Sequence, residues 1–95
     1  MSQKSEEFYT RLKAELEKTT KSWPTEYLYK FIVPADESKV NAVELAFNNM
    51  GAVIKTNKSK NGNFISVSIN VVMKDADAII AKYNEVSTIE GIISL

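Results

Sequence analysis

Between Phe64 and Met73 the chain alternates almost without interruption, with Ile65, Val67, Ile69 and Val71 on one side of an extended backbone and Ser66, Ser68 and Asn70 on the other. Successive side chains of a strand point to opposite faces, so this run reads as a strand with one buried and one open face. Asn61-Gly62 stands just before it, preceded by a second extended stretch that begins near Ala52. Asn-Gly suits a two-residue type I′ turn, which needs positive φ at both central positions, so the whole stretch reads as a β-hairpin. With Lys60 opposite Asn63, Ile54 falls opposite Ile69, Thr56 opposite Val67 and Lys58 opposite Ile65. Lys55, Asn57 and Ser59 then share the open face with Ser68, Ser66 and Phe64, and Lys55, Lys58 and Lys60 make the hairpin tip locally basic.

The remaining segments read as partners for that hairpin. Ser5 through Thr19 has helical spacing, with Ser5 as N-cap, Glu6 and Glu7 in the first turn, and a narrow apolar stripe of Phe8, Leu12 and Leu16. Trp23-Pro24 breaks the helix, because proline forces its predecessor into extended geometry, and Trp23 reads as an aromatic plug between helix and sheet. From Glu26 to Val33 a strand sends Tyr27, Tyr29, Phe31 and Val33 to the core and Leu28, Lys30 and Ile32 to the open face. Asp36 caps a second helix with Val40, Val43, Ala46, Phe47 and Met50 inside and Gly51 as its left-handed stop. Asp75 or Asp77 caps a third, lined by Ala76, Ile79, Ile80 and Tyr83. Glu90 to Leu95 closes as a strand whose apolar positions are Ile92, Ile93 and Leu95.

Several functions are excluded by what the chain lacks. It has no cysteine and no histidine, which removes thiol and imidazole chemistry and leaves carboxylates, lysines, tyrosines and hydroxyls. The carboxylates at Asp36-Glu37 and Asp75/Asp77 suit helix caps better than acid/base work or a cation site. Twelve basic residues balance twelve acidic ones, so there is no general pull toward nucleic acid or anionic lipid. No apolar run approaches the length that spans a bilayer, and residues 1–7 have no apolar core of a secretory signal, so a cytoplasmic location is expected. No cofactor is called for.

After the leading helix the order is strand, helix, strand, strand, helix, strand. This is the α+β ferredoxin-like arrangement: a four-stranded antiparallel sheet with two helices on one face, first and third strands in the middle. The division expected is an N-terminal helix and linker over residues 1–22 and the ferredoxin-like unit over 23–95. The second sheet face is left to water, to the N-terminal helix or to a partner.

Trp23-Pro24-Thr25, Tyr27, Tyr29-Lys30, Ser59-Lys60 and, above all, Gly62-Asn63-Phe64-Ile65-Ser66-Val67-Ser68-Ile69 resemble the YbeD-like family of small uncharacterised bacterial proteins. The resemblance runs from about Trp23 to Leu95, and the turn region here is longer than the family's usual pattern. It implies a fold similar to ACT-type regulatory domains, with no established activity. In ACT domains a glycine-containing loop after the first strand offers backbone N–H groups to an amino acid. The corresponding Val33-Pro34-Ala35-Asp36 has no glycine and loses one N–H to proline.

The function expected is a non-catalytic regulatory or protein-interaction module that works through its open sheet face or strand edges. Its candidate surface is Lys30, Lys55, Asn57, Phe64, Ser66, Ser68 and Asn70, its partner an unknown protein or small molecule, and a homo-oligomer is one form it takes. The alternatives are single-stranded nucleic-acid binding and an acylphosphatase-like enzyme. Serines in the third strand where stacking rings are needed argue against the first. A lone arginine, Arg11 in the leading helix, argues against the second.

Overall fold

The computed structural model describes residues 3–95, with side chains from residue 7 onward. Its elements in chain order are α1 (Gln3–Thr19), β1 (Thr25–Pro34), α2 (Glu37–Ala46), β2 (Val53–Lys58), β3 (Phe64–Met73), α3 (Ala76–Val86) and β4 (Ile93–Ser94). β1 and β3 pair antiparallel along their whole length, from Thr25 opposite Met73 to Pro34 opposite Phe64. β2 lies outside β3 and β4 outside β1, giving the order β2-β3-β1-β4 of the ferredoxin-like fold.

Alternation sorts the sheet as the residues demand. Tyr29, Phe31 and Val33 of β1 and Val67, Ile69, Val71 and Met73 of β3 are buried. They meet Val43 and Phe47 from the α2 side and Ile79, Tyr83 and Val86 from α3. Each such side chain contributes about 1.5–3 kcal/mol by leaving water. The polar tips of the core tyrosines are satisfied. Tyr29 donates its hydroxyl proton to the Ile79 carbonyl at 2.9 Å, and the Tyr27 and Tyr83 hydroxyls share a bond of 2.8 Å.

Both core helices begin on aspartate caps. An Asp36 carboxylate oxygen accepts from the Ser38 backbone N–H at 2.9 Å and from its hydroxyl at 2.7 Å. Those two bonds hold the Asp36 carboxyl below its ordinary pKa. Asp75 accepts from the Ala78 N–H at 2.7 Å, which decides between the two candidate caps, and Asp77 instead pairs with Lys13 of α1 at 3.0 Å.

Four expectations need correction. The hairpin register is the expected one, but its tip is not a two-residue turn. Ser59 pairs with Phe64, the Gly62 N–H donates to the Ser59 carbonyl at 2.9 Å, and of Asn61 and Gly62 only the glycine has positive φ. The Asn61 side chain accepts from Asn63 N–H and from the Ser59 hydroxyl, which stabilises the wider loop. Lys60 therefore does not pair with Asn63, yet Ile54 still faces Ile69 because both closures share one register. The helix after Asp36 stops at Ala46 rather than near Met50: the Phe47 and Asn48 N–H groups reach back three residues, and Asn49 joins Gly51 at positive φ. β4 is two residues long, because Gly91 turns at φ +81 and Ile92 folds back toward Ile89. Ile92 packs on the core while Ile93 and Leu95 stay exposed.

The fourth concerns the leading helix. α1 is already helical at Gln3, so Ser5 lies inside it and not at its N-cap, and the Ser5 and Glu6 side chains lie outside what the structure describes. Leu12 and Leu16 face the core as expected, but Tyr9 joins them in place of Phe8, which is 58% exposed. α1 contacts α3, not the open face of the sheet. Trp23, whose bond to Pro24 is cis, packs against the core as a half-buried plug where α1 gives way to β1.

Candidate interaction surface

With all three helices on one side, the other side of the sheet is bare among the described residues. The register places its side chains in rows that run across the strands. Val53, Asn70 and Leu28 form one row; Lys55, Ser68 and Lys30 the next; Asn57, Ser66, Ile32 and Ile93 a third. Val72 and Glu26 lie beyond the first row, and Phe64 lies opposite Pro34 beyond the third. Strands stand about 4.8 Å apart and same-face neighbours along a strand about 6.7 Å apart, so the three rows cover a small, nearly flat panel.

All seven candidate residues lie on this face, but they do not form one cluster. Lys55, Ser68 and Asn70 line a hollow of about 220 Å³ together with Leu28 and Val53. The hollow exists because serine and asparagine on the central strand are shorter than the aliphatic side chains of the strands beside it. Lys30 stands in the row of Ser68. The Ser66 hydroxyl is partly committed, since it donates to the Asn57 backbone carbonyl at 3.2 Å. Phe64 lies apart, against Ser59, Lys60 and Asn61 at the hairpin tip.

Phe64 is the one apolar residue in the candidate set, and most of the apolar part of the surface lies outside it. Leu28, Val53, Val72, Ile93 and Leu95 are each more than half exposed. Val53 and Val72 were legible as one further step of the period-2 pattern from Lys55 and Asn70. Ile93 and Leu95 were assigned to a longer strand and could be found only once β4 was seen to hold two residues.

A larger hollow, about 720 Å³, lies on the helix side among Met50, Met73, Ala78, Ala81, Asp77 and Lys82. Most of its charges are already engaged: Asp77 by Lys13, Asp75 by the Ala78 N–H, and Lys82 by Glu85 at 3.0 Å and by the Ala46 carbonyl, while Lys74 has no ion pair among the described residues. Among the described residues no three metal-ligating side chains come together, and no helix is long and apolar enough to cross a membrane. The loop from Val33 to Asp36 holds no free amide fan either. Ala35 N–H donates to Asn63 at 3.0 Å, Asp36 N–H to Pro34 at 2.7 Å, and Pro34 has none.

A family model described as "Protein of unknown function (DUF493)" matches residues 18–95. The chain belongs to this family. It is the YbeD family, so the likeness carried by the run from Gly62 to Ile69 and its companions holds. The family match takes in the whole sheet and leaves most of α1 outside. Among solved structures the chain is similar to the ACT domain from GTP pyrophosphokinase of Chlorobium tepidum, with a TM-score of 0.52 and 10% identity over 75% of this chain and all of that domain. The likeness lies in the fold. No curated protein matches the chain.

Proposed function

We propose that this protein is a small non-catalytic regulatory module that acts by binding a partner protein on its open sheet face. The observation that carries the reading is the segregation of its surface. Three helices share one side of the sheet, and Leu28, Val53, Val72, Ile93 and Leu95 crowd the other. Contiguous exposed apolar surface on a small domain marks an interaction site more often than scattered single residues do. The hollow supports binding over chemistry, since its lining includes no carboxylate and no side-chain hydrogen bond links Ser68 to the exposed lysines that flank it, Lys30 and Lys55.

The test compares Leu28→Ser/Val53→Ser with Leu45→Ser, a control that alters a still more exposed leucine on α2. All three sites are solvent-facing, so each change alters stability by no more than about 0.5 kcal/mol. Proteins cross-linked by the wild type in native extract should be lost with the sheet-face variant and kept with the control. Equal loss from both, or from neither, would sink the proposal.

A further inference from the structure

We infer that the open face recognises an acidic, amphipathic segment of its partner, one that seats an apolar side chain between Leu28 and Val53 and sets carboxylates against Lys30 and Lys55. The inference rests on the open-face reading and adds the chemistry of what binds there.

Lys30 and Lys55 flank Ser68 in the central row, two strand spacings or roughly 10 Å apart at the backbone. Neither ammonium group has an ion-pair or hydrogen-bond partner among the described residues, whereas those of Lys13 and Lys82 do. The only carboxylate placed on the face by the strand register is Glu26, two rows away beside Val72. The chain as a whole is neutral, so the excess of positive charge is a property of this panel. Apolar side chains border the lysine row on both sides, Leu28 and Val53 in one neighbouring row and Ile32 and Ile93 in the other. A complementary surface has carboxylates in its middle and apolar groups about 6.7 Å to either side.

The same charges argue against a second copy as occupant. Face-to-face packing about a two-fold axis through Ser68 sets four ammonium groups together, with each Glu26 near the margin. Like charges gathered in a contact that excludes water repel strongly. Nucleic acid would also answer to lysines, but the central strand offers Ser66 and Ser68 where bases need rings to stack on.

A random-peptide display library panned on the full chain tests this. Lys30→Glu/Lys55→Glu serves as counter-target, and Lys30→Gln/Lys55→Gln as a second variant should charge reversal disturb the fold. Peptides enriched on the wild type should combine Asp or Glu with large apolar residues. They should shift the amide resonances of Leu28, Val53, Ser68 and Asn70, bind the reversed variant at least about tenfold more weakly, and weaken with added salt. Enriched peptides that map to this face without an excess of acid overturn the acidic partner and leave the open-face reading standing. Peptides that map elsewhere, or no enrichment, overturn both. Dimerisation of the wild type that is lost on Val53→Ser assigns the face to a second copy. Oligouridine that displaces the peptides and binds more tightly than they do assigns it to RNA.

Discussion

Raising the pH past about 10 should unfold this protein through Tyr29 and Tyr83. Tyr29 is fully buried and Tyr83 is 8% exposed. Burial is the main cause that pushes both phenols above their ordinary range. Repulsion from Tyr27 adds to Tyr29, and the hydrogen bond with Tyr27 adds to Tyr83. Folding thus favours the neutral phenols, one donating to Ile79 and the other paired with Tyr27. In the unfolded chain the same groups ionise near their reference value of about 10. Above that pH the unfolded state releases protons that the folded state keeps, so stability is complete below about 10 and falls as pH rises. The slope is about 1.4 kcal/mol per pH unit for each tyrosine and about 2.7 for the two together. A domain of about 5–6 kcal/mol would lose its stability within roughly two pH units. Urea melts followed by far-ultraviolet circular dichroism at a series of pH values give the slope, and near-ultraviolet absorbance reports the phenolates. Tyr29→Phe should halve the slope, since one of the two linked protons is gone. An unchanged slope in that variant, or complete ionisation of all four tyrosines in a chain that keeps its native dichroism, would refute the reasoning.

Three further outcomes are expected. Gly91→Ala forces a Cβ to 2.8 Å from the Pro34 Cγ at a φ of +81. It should cost about 1–3 kcal/mol in a urea melt and remove the exchange protection of the Leu95 amide, which donates to Lys30. Asp75→Ala removes the cap of α3 and should cost about 1 kcal/mol, whereas Asp77→Ala removes an exposed ion pair and a first-turn charge and should lower the urea midpoint less than Asp75→Ala does. Ile69→Ala, at the centre of the buried strand pair, should cost about 2–5 kcal/mol and shows in calorimetry as a lowered melting temperature.

The strand pairings were legible because period-2 patterns leave no freedom: a shift by one residue would turn Val67 and Ile69 into water. Turn chemistry was less so. Asn-Gly signals a turn, but the side chains of Ser59 and Asn61 take up loop amides and widen it, an outcome that depends on local hydroxyl and amide competition. The placement of α1 was legible only in part, through Leu12 and Leu16. Phe8, Leu12 and Leu16 fit a stripe as well as Tyr9, Leu12 and Leu16 do, and the choice is made by α3, to which Lys13 is tied through Asp77. The polar part of the open face could be read from Ser66, Ser68 and Asn70. In its apolar part Leu28 and Ile32 follow from the same alternation and Val53 and Val72 lie one step further along it, whereas Ile93 and Leu95 depend on the short pairing of β4, which the sequence does not reveal.

β4 adjoins β1 at two register positions, Phe31 and Ile32, while β1 and β3 are joined at ten. Segments that bury little apolar surface open locally at a fraction of the global unfolding free energy. Ile93 and Leu95 are more than half exposed, so little holds this strip down. The backbone of Lys30 points toward β4, as its carbonyl's bond from Leu95 shows, and by alternation Glu26 and Leu28 point the same way with no strand partner among the described residues. Lifting β4 would join these groups into one continuous rim of free donors and acceptors. The outline of the panel thus has a half held by long pairing, built on Leu28, Val53 and Val72, and a half that carries Ile93 and Leu95 on only two register positions.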